Sequence, residues 1–220
     1  CGGYREYRRA VITTISVVPP TLSFRVLTGP TGSGKTALLH YLRRQGHQIL
    51  DLEGLANHRG SVLGATNTSQ PSQKMFESSL SEALLQLSPD RPVYVEDEAS
   101  FIGGLHIPSL LWQSLLPAPR FALETPVSVR VQHTLAHYHH LTTSPKHLKD
   151  LLARLGKYHN TSIVSVWHQL VDAHEFATLV AQLLDVHYDP ANRRSISARC
   201  NTHDAPLQRV TLTGLDDVTF

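Results

Sequence analysis

Hydrophobic residues recur along this chain at two spacings, and the alternation between them predicts a layered α/β fold. Tyr4, Tyr7, Val11 and Ile15 fall near helical spacing with Arg5, Arg8 and Arg9 on the other side, predicting a helix over residues 4 to about 16 that Pro19 and Pro20 end. "SFRVL", residues 23–27, reads as a short strand, and "KTALLHYLRRQG" from Lys35 as a helix closed by Gly46. "HQILDLE" predicts a second strand ending in Asp51 and Glu53. The polar stretch that follows, "ANHRGSVLGATNTSQPSQ", is too rich in Gly, Ser, Thr and Asn to be core. From Pro71 onward Phe76, Leu80, Leu84 and Leu87 mark one face of a helix, "RPVYVEDE" supplies a buried strand ending in three acids, and "PRFALET", residues 119–125, a further strand. Strands alternating with helices imply a parallel sheet with right-handed crossovers.

Beyond Thr125 the pattern turns helical. Ser144 followed by Pro145 predicts an N-cap, Leu148, Leu151, Leu152 and Leu155 an apolar stripe, and Gly156 a C-terminal glycine. Asp172 with Glu175 resembles a capping box opening a helix that runs to about Leu184. The expected organisation is a linking helix in residues 1–20, an α/β core in 21–125, and a helical extension with a C-terminal tail in 126–220.

Composition narrows the classes. The 220 residues are 41% hydrophobic, as in an ordinary globular domain. A formal net charge of +2 gives no overall argument for nucleic-acid binding, although arginines gather at Arg5, Arg8, Arg9 and at Arg193, Arg194, Arg199. Cys1 and Cys200 are too few for a disulfide framework or a thiolate metal site, which suits a reducing cytosol. No apolar run approaches the ~20 residues that span a bilayer, so a cytoplasmic protein without membrane partners is expected. "CGGYREYRR" opens without Met and runs directly into helical sequence, the expected look of a piece of a longer chain with Gly2 and Gly3 as a former connection.

"GPTGSGKT", residues 29–36, fits the Walker A pattern G-x-x-x-x-G-K-[ST] at every fixed position and sits between a predicted strand and a predicted helix. The expected fold is therefore a P-loop NTPase-like parallel sheet flanked by helices. Gly29, Gly32 and Gly34 allow the backbone of the loop, Thr31 and Ser33 included, to turn its N–H groups around phosphate oxygens at a helix N-terminus. Lys35 is expected to reach a phosphate oxygen and Thr36 to coordinate Mg²⁺. Strand alternation places Glu96 and Glu98 on one side of "VYVEDE" and Asp97 on the other, where carboxylates hold Mg²⁺ or act as a base. His58, Arg59, Gln70, Gln73 and Lys74 crowd donors into the segment after the second strand, at the sheet edge where ligands bind, or simply make an exposed polar loop. His133, His137, His139, His140 and His147 form a histidine-rich patch; His133 and His137 have one-turn spacing, but no third ligand follows, so packed or exposed histidines are expected in place of zinc. Trp112 and Trp167 are expected in the core. These residues leave the phosphate ligand open.

"CGGYREYRR", "GPTGSGKTALL", "LDLEGLANHRGSVLG", "QPSQKMFE", "VEDEASFIGG" and "LETPVSVR", in this order, resemble the C-terminal P-loop domain of the tRNA 2-selenouridine synthase family, up to about Tyr188. The resemblance implies a preceding rhodanese domain carrying the catalytic cysteine, a role that Cys1 does not take. It also implies a tRNA partner bearing wobble 2-thiouridine, whose sulfur is geranylated from geranyl diphosphate and then exchanged for selenium from selenophosphate. On that reading Lys35 and the loop amides hold the diphosphate, Thr36 with Glu96 or Glu98 manages Mg²⁺, and Arg59 or Arg130 adds positive charge. His58, Gln70 and Gln73 match motif positions. Ser100 stands where the family usually has Arg, and Leu63 where Phe is common. The competing readings are an ATP- or GTP-dependent kinase or NTPase and a nucleotide-sensing tRNA-binding module. Contact with tRNA is expected on the Arg5, Arg8, Arg9 face and the histidine-rich half.

Overall fold

The computed structural model describes residues 3–58, 69–200 and 206–215. In chain order these form α1 (Tyr4–Val17), β1 (Ser23–Thr28), α2 (Lys35–Arg44), β2 (Gln48–Leu50), α3 (Leu52–Ala56), α4 (Gln73–Leu85), β3 (Pro92–Glu96), the hairpin strands β4 (Phe101–Ile102) and β5 (Leu105–His106), α5 (Ser109–Leu115) and β6 (Arg120–Glu124). Then follow α6 (Val127–His137), α7 (His139–Thr142), α8 (Pro145–Ala153), α9 (Thr161–Asp172), α10 (Phe176–Leu183), α11 (Asp189–Cys200) and β7 (Leu207–Thr211). The main sheet has the order β2-β3-β1-β6-β7, and β1 pairs in parallel with both β3 and β6. This is the expected P-loop-type α/β fold. The crossover helices explain the composition of the central strands: covered on both faces, they bury Phe24, Val26 and Leu27 of β1 and Val93 and Val95 of β3 as near-continuous apolar runs.

Two compact units divide the chain: Cys1–Gly29, Lys35–Leu123 and Ala198–Val210 in the first, Pro30–Gly34, Glu124–Ser197 and Thr211–Phe220 in the second. The core of the first gathers Phe24, Val26, Leu50, Phe76, Leu80 and Val95, all at most 3% exposed. There α1 packs on α4 and α5, burying Val11 and Ile15, the two apolar positions on its inner face. In the second unit α8, α9 and α10 pack in sequence and bury Leu148, Leu152, Leu155, Trp167, Val171 and Leu179. Trp167 is thus core, as expected, and Trp112 packs partly buried against the core of the first unit.

Several expected boundaries move, each for a local reason. The second strand stops at Leu50, because the Asp51 carboxylate accepts from the Gly54 N–H (2.8 Å) and so N-caps α3, which carries Glu53. Asn57, at φ 48°, closes that helix in the left-handed conformation. Pro145 does open α8, but the Ser144 hydroxyl makes no cap bond, and Gly156 lies inside a 3₁₀ turn without positive φ. Asp172 opens no helix: it is the last residue of α9, which His174 ends at φ 57°. Glu175 precedes α10 and accepts from the Thr178 hydroxyl, capping no backbone N–H. The expected tail contains β7. The Arg120 N–H donates to the Pro206 carbonyl (2.8 Å) and the Leu212 N–H to the Glu124 carbonyl (2.9 Å), a register that advances together and makes β7 parallel to β6. Among the described residues no helix is long and apolar enough to cross a membrane.

Candidate functional site

Residues 29–34 link β1 to α2, and Pro30–Gly34 among them belong to the second unit. The Ser33 N–H donates to the Pro30 carbonyl (3.1 Å), closing a tight turn. Gly32 has φ 78°, and a Cβ there would stand 2.7 Å from Thr134 Oγ1 and 3.0 Å from the Arg130 carbonyl oxygen, so both conformation and space demand glycine. Two loop carbonyls are fastened: Thr31 O accepts from Arg130 Nε (2.9 Å) and Ser33 O from Thr125 Oγ1 (3.0 Å). Arg130 comes from α6, is 4% exposed, and donates its other two nitrogens to Asp189 at 3.0 and 2.6 Å. The structure therefore places Arg130 as a brace on the loop backbone, locked in a bidentate ion pair. The hydroxyls of Ser33 and Thr134 are buried with no protein partner.

In the first unit Lys35 and Thr36 open α2. Lys35 Nζ donates to the Gly29 carbonyl (2.9 Å), folding the ammonium back over the start of the loop. The Thr36 hydroxyl is hydrogen-bonded to Glu96, the last residue of β3. Glu96 and Glu98 do share a side. Asp97 turns away, accepting from Thr28 Oγ1 (2.8 Å) with Arg120 at 4.0 Å. Sequence reasoning missed Glu53 as a partner of this pair. Oxygens of Glu53, Glu96 and Glu98 lie within 4.8 Å of one another, the group of three possible metal ligands found among the described residues. Burial, with Glu96 and Glu98 beside it, pushes the Glu53 carboxyl up to about 9. Burial and Glu96 push Glu98 up to about 7, and burial raises Glu96 against the opposing pull of Lys35 and Thr36. A shared hydrogen bond joins Glu53 to Glu98. Reading Asp51 as an N-cap would have pointed to Glu53, since it sets that residue in the first turn of a helix directly after β2.

Gln70 and Gln73 are brought together, but on backbone groups. Gln70 donates to the carbonyls of Ala56 (3.1 Å) and Ile102 (3.0 Å) and accepts from the Gly104 N–H (2.8 Å). Gln73 exchanges two bonds of 2.9 Å with the backbone of His106. The "QPSQ" motif thus clasps the β4–β5 hairpin, and Ser72 between the two caps α4. His58 is half-buried directly after Asn57, and burial lowers its pKa. Arg59 and Leu63 lie outside the described residues. Ser100 offers its carbonyl to the Ile107 N–H (3.0 Å).

Of the arginines expected to meet tRNA, Arg5 and Arg9 are exposed, whereas Arg8 is held by Glu77 and the Lys74 carbonyl. Arg193 and Arg194 are exposed on α11; the Arg199 side chain lies outside the described residues. The rings of His133 and His137 lie with centroids 4.0 Å apart and planes tilted by 43°, and His137 Nδ1 is 3.0 Å from the His133 carbonyl oxygen.

Residues 22–158 match the family model described as "tRNA 2-selenouridine synthase AAA domain". Similar proteins named tRNA 2-selenouridine synthase include those of Shewanella loihica (34% identical, covering 91% of this chain and 60% of that protein) and Nitrosomonas europaea (37% identical, 66% and 37%). A third, from Alcanivorax borkumensis, is 41% identical over 62% of this chain and 37% of its own length. The chain thus spans between about a third and three fifths of these relatives. With its phosphate loop, its acid-tipped β3 and this match, the chain belongs to the tRNA 2-selenouridine synthase AAA domain family.

Proposed function

We propose that this chain is the phosphate-binding part of a tRNA-modifying enzyme, and that residues 29–36 hold the diphosphate of a prenyl donor, geranyl diphosphate, for transfer to the sulfur of wobble 2-thiouridine. The sulfur attacks C1 of the geranyl group, the C1–O bond breaks with its electron pair leaving on pyrophosphate, and the base gives its N3 proton to water. Negative charge gathers on the departing pyrophosphate, so preorganised donors there lower the barrier most. Loop N–H groups and the Lys35 ammonium offset that charge. Thr36 and Glu96 suit Mg²⁺: both are hard oxygen donors, already joined to each other, and Glu96 Oε1 is buried without a hydrogen-bond partner. Such an ion neutralises phosphate charge. Arg130 acts behind the loop by holding the Thr31 carbonyl. Exchange of the S-geranyl group for selenium from selenophosphate falls to the whole protein, with the rhodanese domain that the resemblance implies.

The observation that carries this reading is the Lys35–Thr36 head of α2 set against Glu96, in a chain of this family. A kinase- or NTPase-type site for ATP or GTP uses the same loop, and competition separates the two. Geranyl diphosphate is expected to displace ATP from a single site, with affinity falling about 30-fold or more in Lys35→Ala, as loss of a charge-assisted contact of roughly 2–3 kcal/mol implies. Tight ATP binding that geranyl diphosphate leaves untouched sinks the prenyl assignment. Mass spectrometry of 2-thiouridine tRNA incubated with the chain, geranyl diphosphate and Mg²⁺ reads the product directly.

A further inference from the structure

Three carboxylates meet in the first unit from two separate stretches of chain: Glu53 from the first turn of α3, and Glu96 and Glu98 from the end of β3 and two residues beyond it. Each offers an oxygen within 4.8 Å of the other two. Ligand oxygens held at about 2.1 Å on one octahedral ion are roughly 3 Å apart when adjacent, so a small inward movement closes the set on a cation. Lys35 is the cation that acts on all three, with His40 acting on Glu96 besides. An independent sign of a missing partner is Glu96 Oε1. Its residue is 2% exposed, its other contacts include the Thr36 hydroxyl, and this oxygen has no hydrogen-bond partner at all. Buried carboxylate oxygens are satisfied in native structures by donors or by metals, and Glu96 Oε1 has no donor.

We propose that Glu53, Glu96 and Glu98 together form a divalent-cation site of the Mg²⁺ and Mn²⁺ class that fills before any phosphate compound arrives. The all-oxygen donor set selects a hard ion, since no imidazole or thiolate is among the ligands. Glu53 and Glu98 thereby become direct metal ligands, and α3 acquires a reason to start with a capped turn: the cap at Asp51 holds Glu53 at the cluster. At a site built from Thr36 and Glu96 alone the ion would arrive with the phosphates. Here the carboxylates hold it in advance. The binding itself needs only the three carboxylates; the use of the ion rests on the phosphate-loop reading above.

The probe is Mn²⁺, titrated into the chain without any phosphate compound and followed by the loss of the free-ion paramagnetic resonance signal. One Mn²⁺ per chain is expected, displaceable by Mg²⁺, with the dissociation constant rising at least tenfold in Glu53→Gln and in Glu98→Gln. Each variant's melting temperature in chelator sets its own baseline, and Mn²⁺ should raise the melting temperature of the parent by more than that of either variant. A free-ion signal that stays full until pyrophosphate is added overturns the proposal, as does a Glu53→Gln chain that binds Mn²⁺ like its parent. Should Glu53→Gln not fold, Glu98→Gln carries the same comparison. Intact Mn²⁺ binding alongside failed competition between geranyl diphosphate and ATP leaves this site standing and removes only the prenyl assignment.

Discussion

Asp189→Ala should weaken the second unit far more than a partly wet carboxylate at the head of a helix would suggest. Asp189 is 20% exposed at its side chain, but the guanidinium it pairs with, Arg130, is only 4% exposed and receives both of its bonds. Removing the carboxylate leaves a buried charge held by the Thr31 carbonyl at Nε but stripped of both bonds at its terminal nitrogens. Breaking a buried pair from one side costs about 3–5 kcal/mol, and the partial exposure of Asp189 sets the expectation at the lower end, about 3 kcal/mol. Urea unfolding followed by Trp167 fluorescence measures it, because that indole is 1% exposed in the same unit; a Trp112→Phe background removes the other indole signal. A midpoint lowered by about 1–2 M at unchanged slope is expected. Arg130→Met in the same chain removes the orphaned charge, so the double variant should be more stable than Asp189→Ala alone by about 1–2 kcal/mol. If Asp189→Ala unfolds within 0.5 kcal/mol of the parent, or the two losses simply add, the pair is not the brace described here.

Gly32→Ala combines a left-handed backbone with overlap on Thr134 Oγ1 at 2.7 Å, and should cost about 2 kcal/mol and weaken pyrophosphate binding in calorimetry. Gln70→Ala strips three backbone partners of their bond, and an exchange experiment should find the Gly104 amide losing protection while stability falls about 2–3 kcal/mol. Burial first, and His137 second, hold His133 down from 6.5 to about 4, so the fold favours its neutral form. The resulting stability is fully present above pH 6.5 and is lost as pH falls toward 4; His133→Gln should flatten the fall in melting temperature across that window.

Legibility followed the range of the interactions. The phosphate loop, β1, α2, α4 and β3 are written in local spacing: an apolar run feeding glycines, or leucines at helical intervals, and these appear where expected. Asp51 was harder because an acid after an apolar run reads equally as a strand end or as a helix cap, and the difference moved Glu53 into the site. The meeting of Glu53 with Glu96 joins residues far apart in sequence, which no window of spacing can register. β4 and β5 are two residues each, too short to show a period, and their fastening by Gln70 and Gln73 turns a seemingly polar, ligand-ready segment into a structural clasp. Arg130 likewise reads as one more cation until its partner on α11 is seen.

The place of β7 bears on how a ribosome can deliver this protein. Its neighbour β6 leaves the exit tunnel first, and helices α6 to α11 are all made before β7 emerges. Through that interval one side of β6 shows bare amides and carbonyls to its surroundings, a docking edge for any stray extended peptide. The nascent chain should therefore depend on holdase protection until residues 207–211 are translated, and a version cut just before them should accumulate in inclusion bodies.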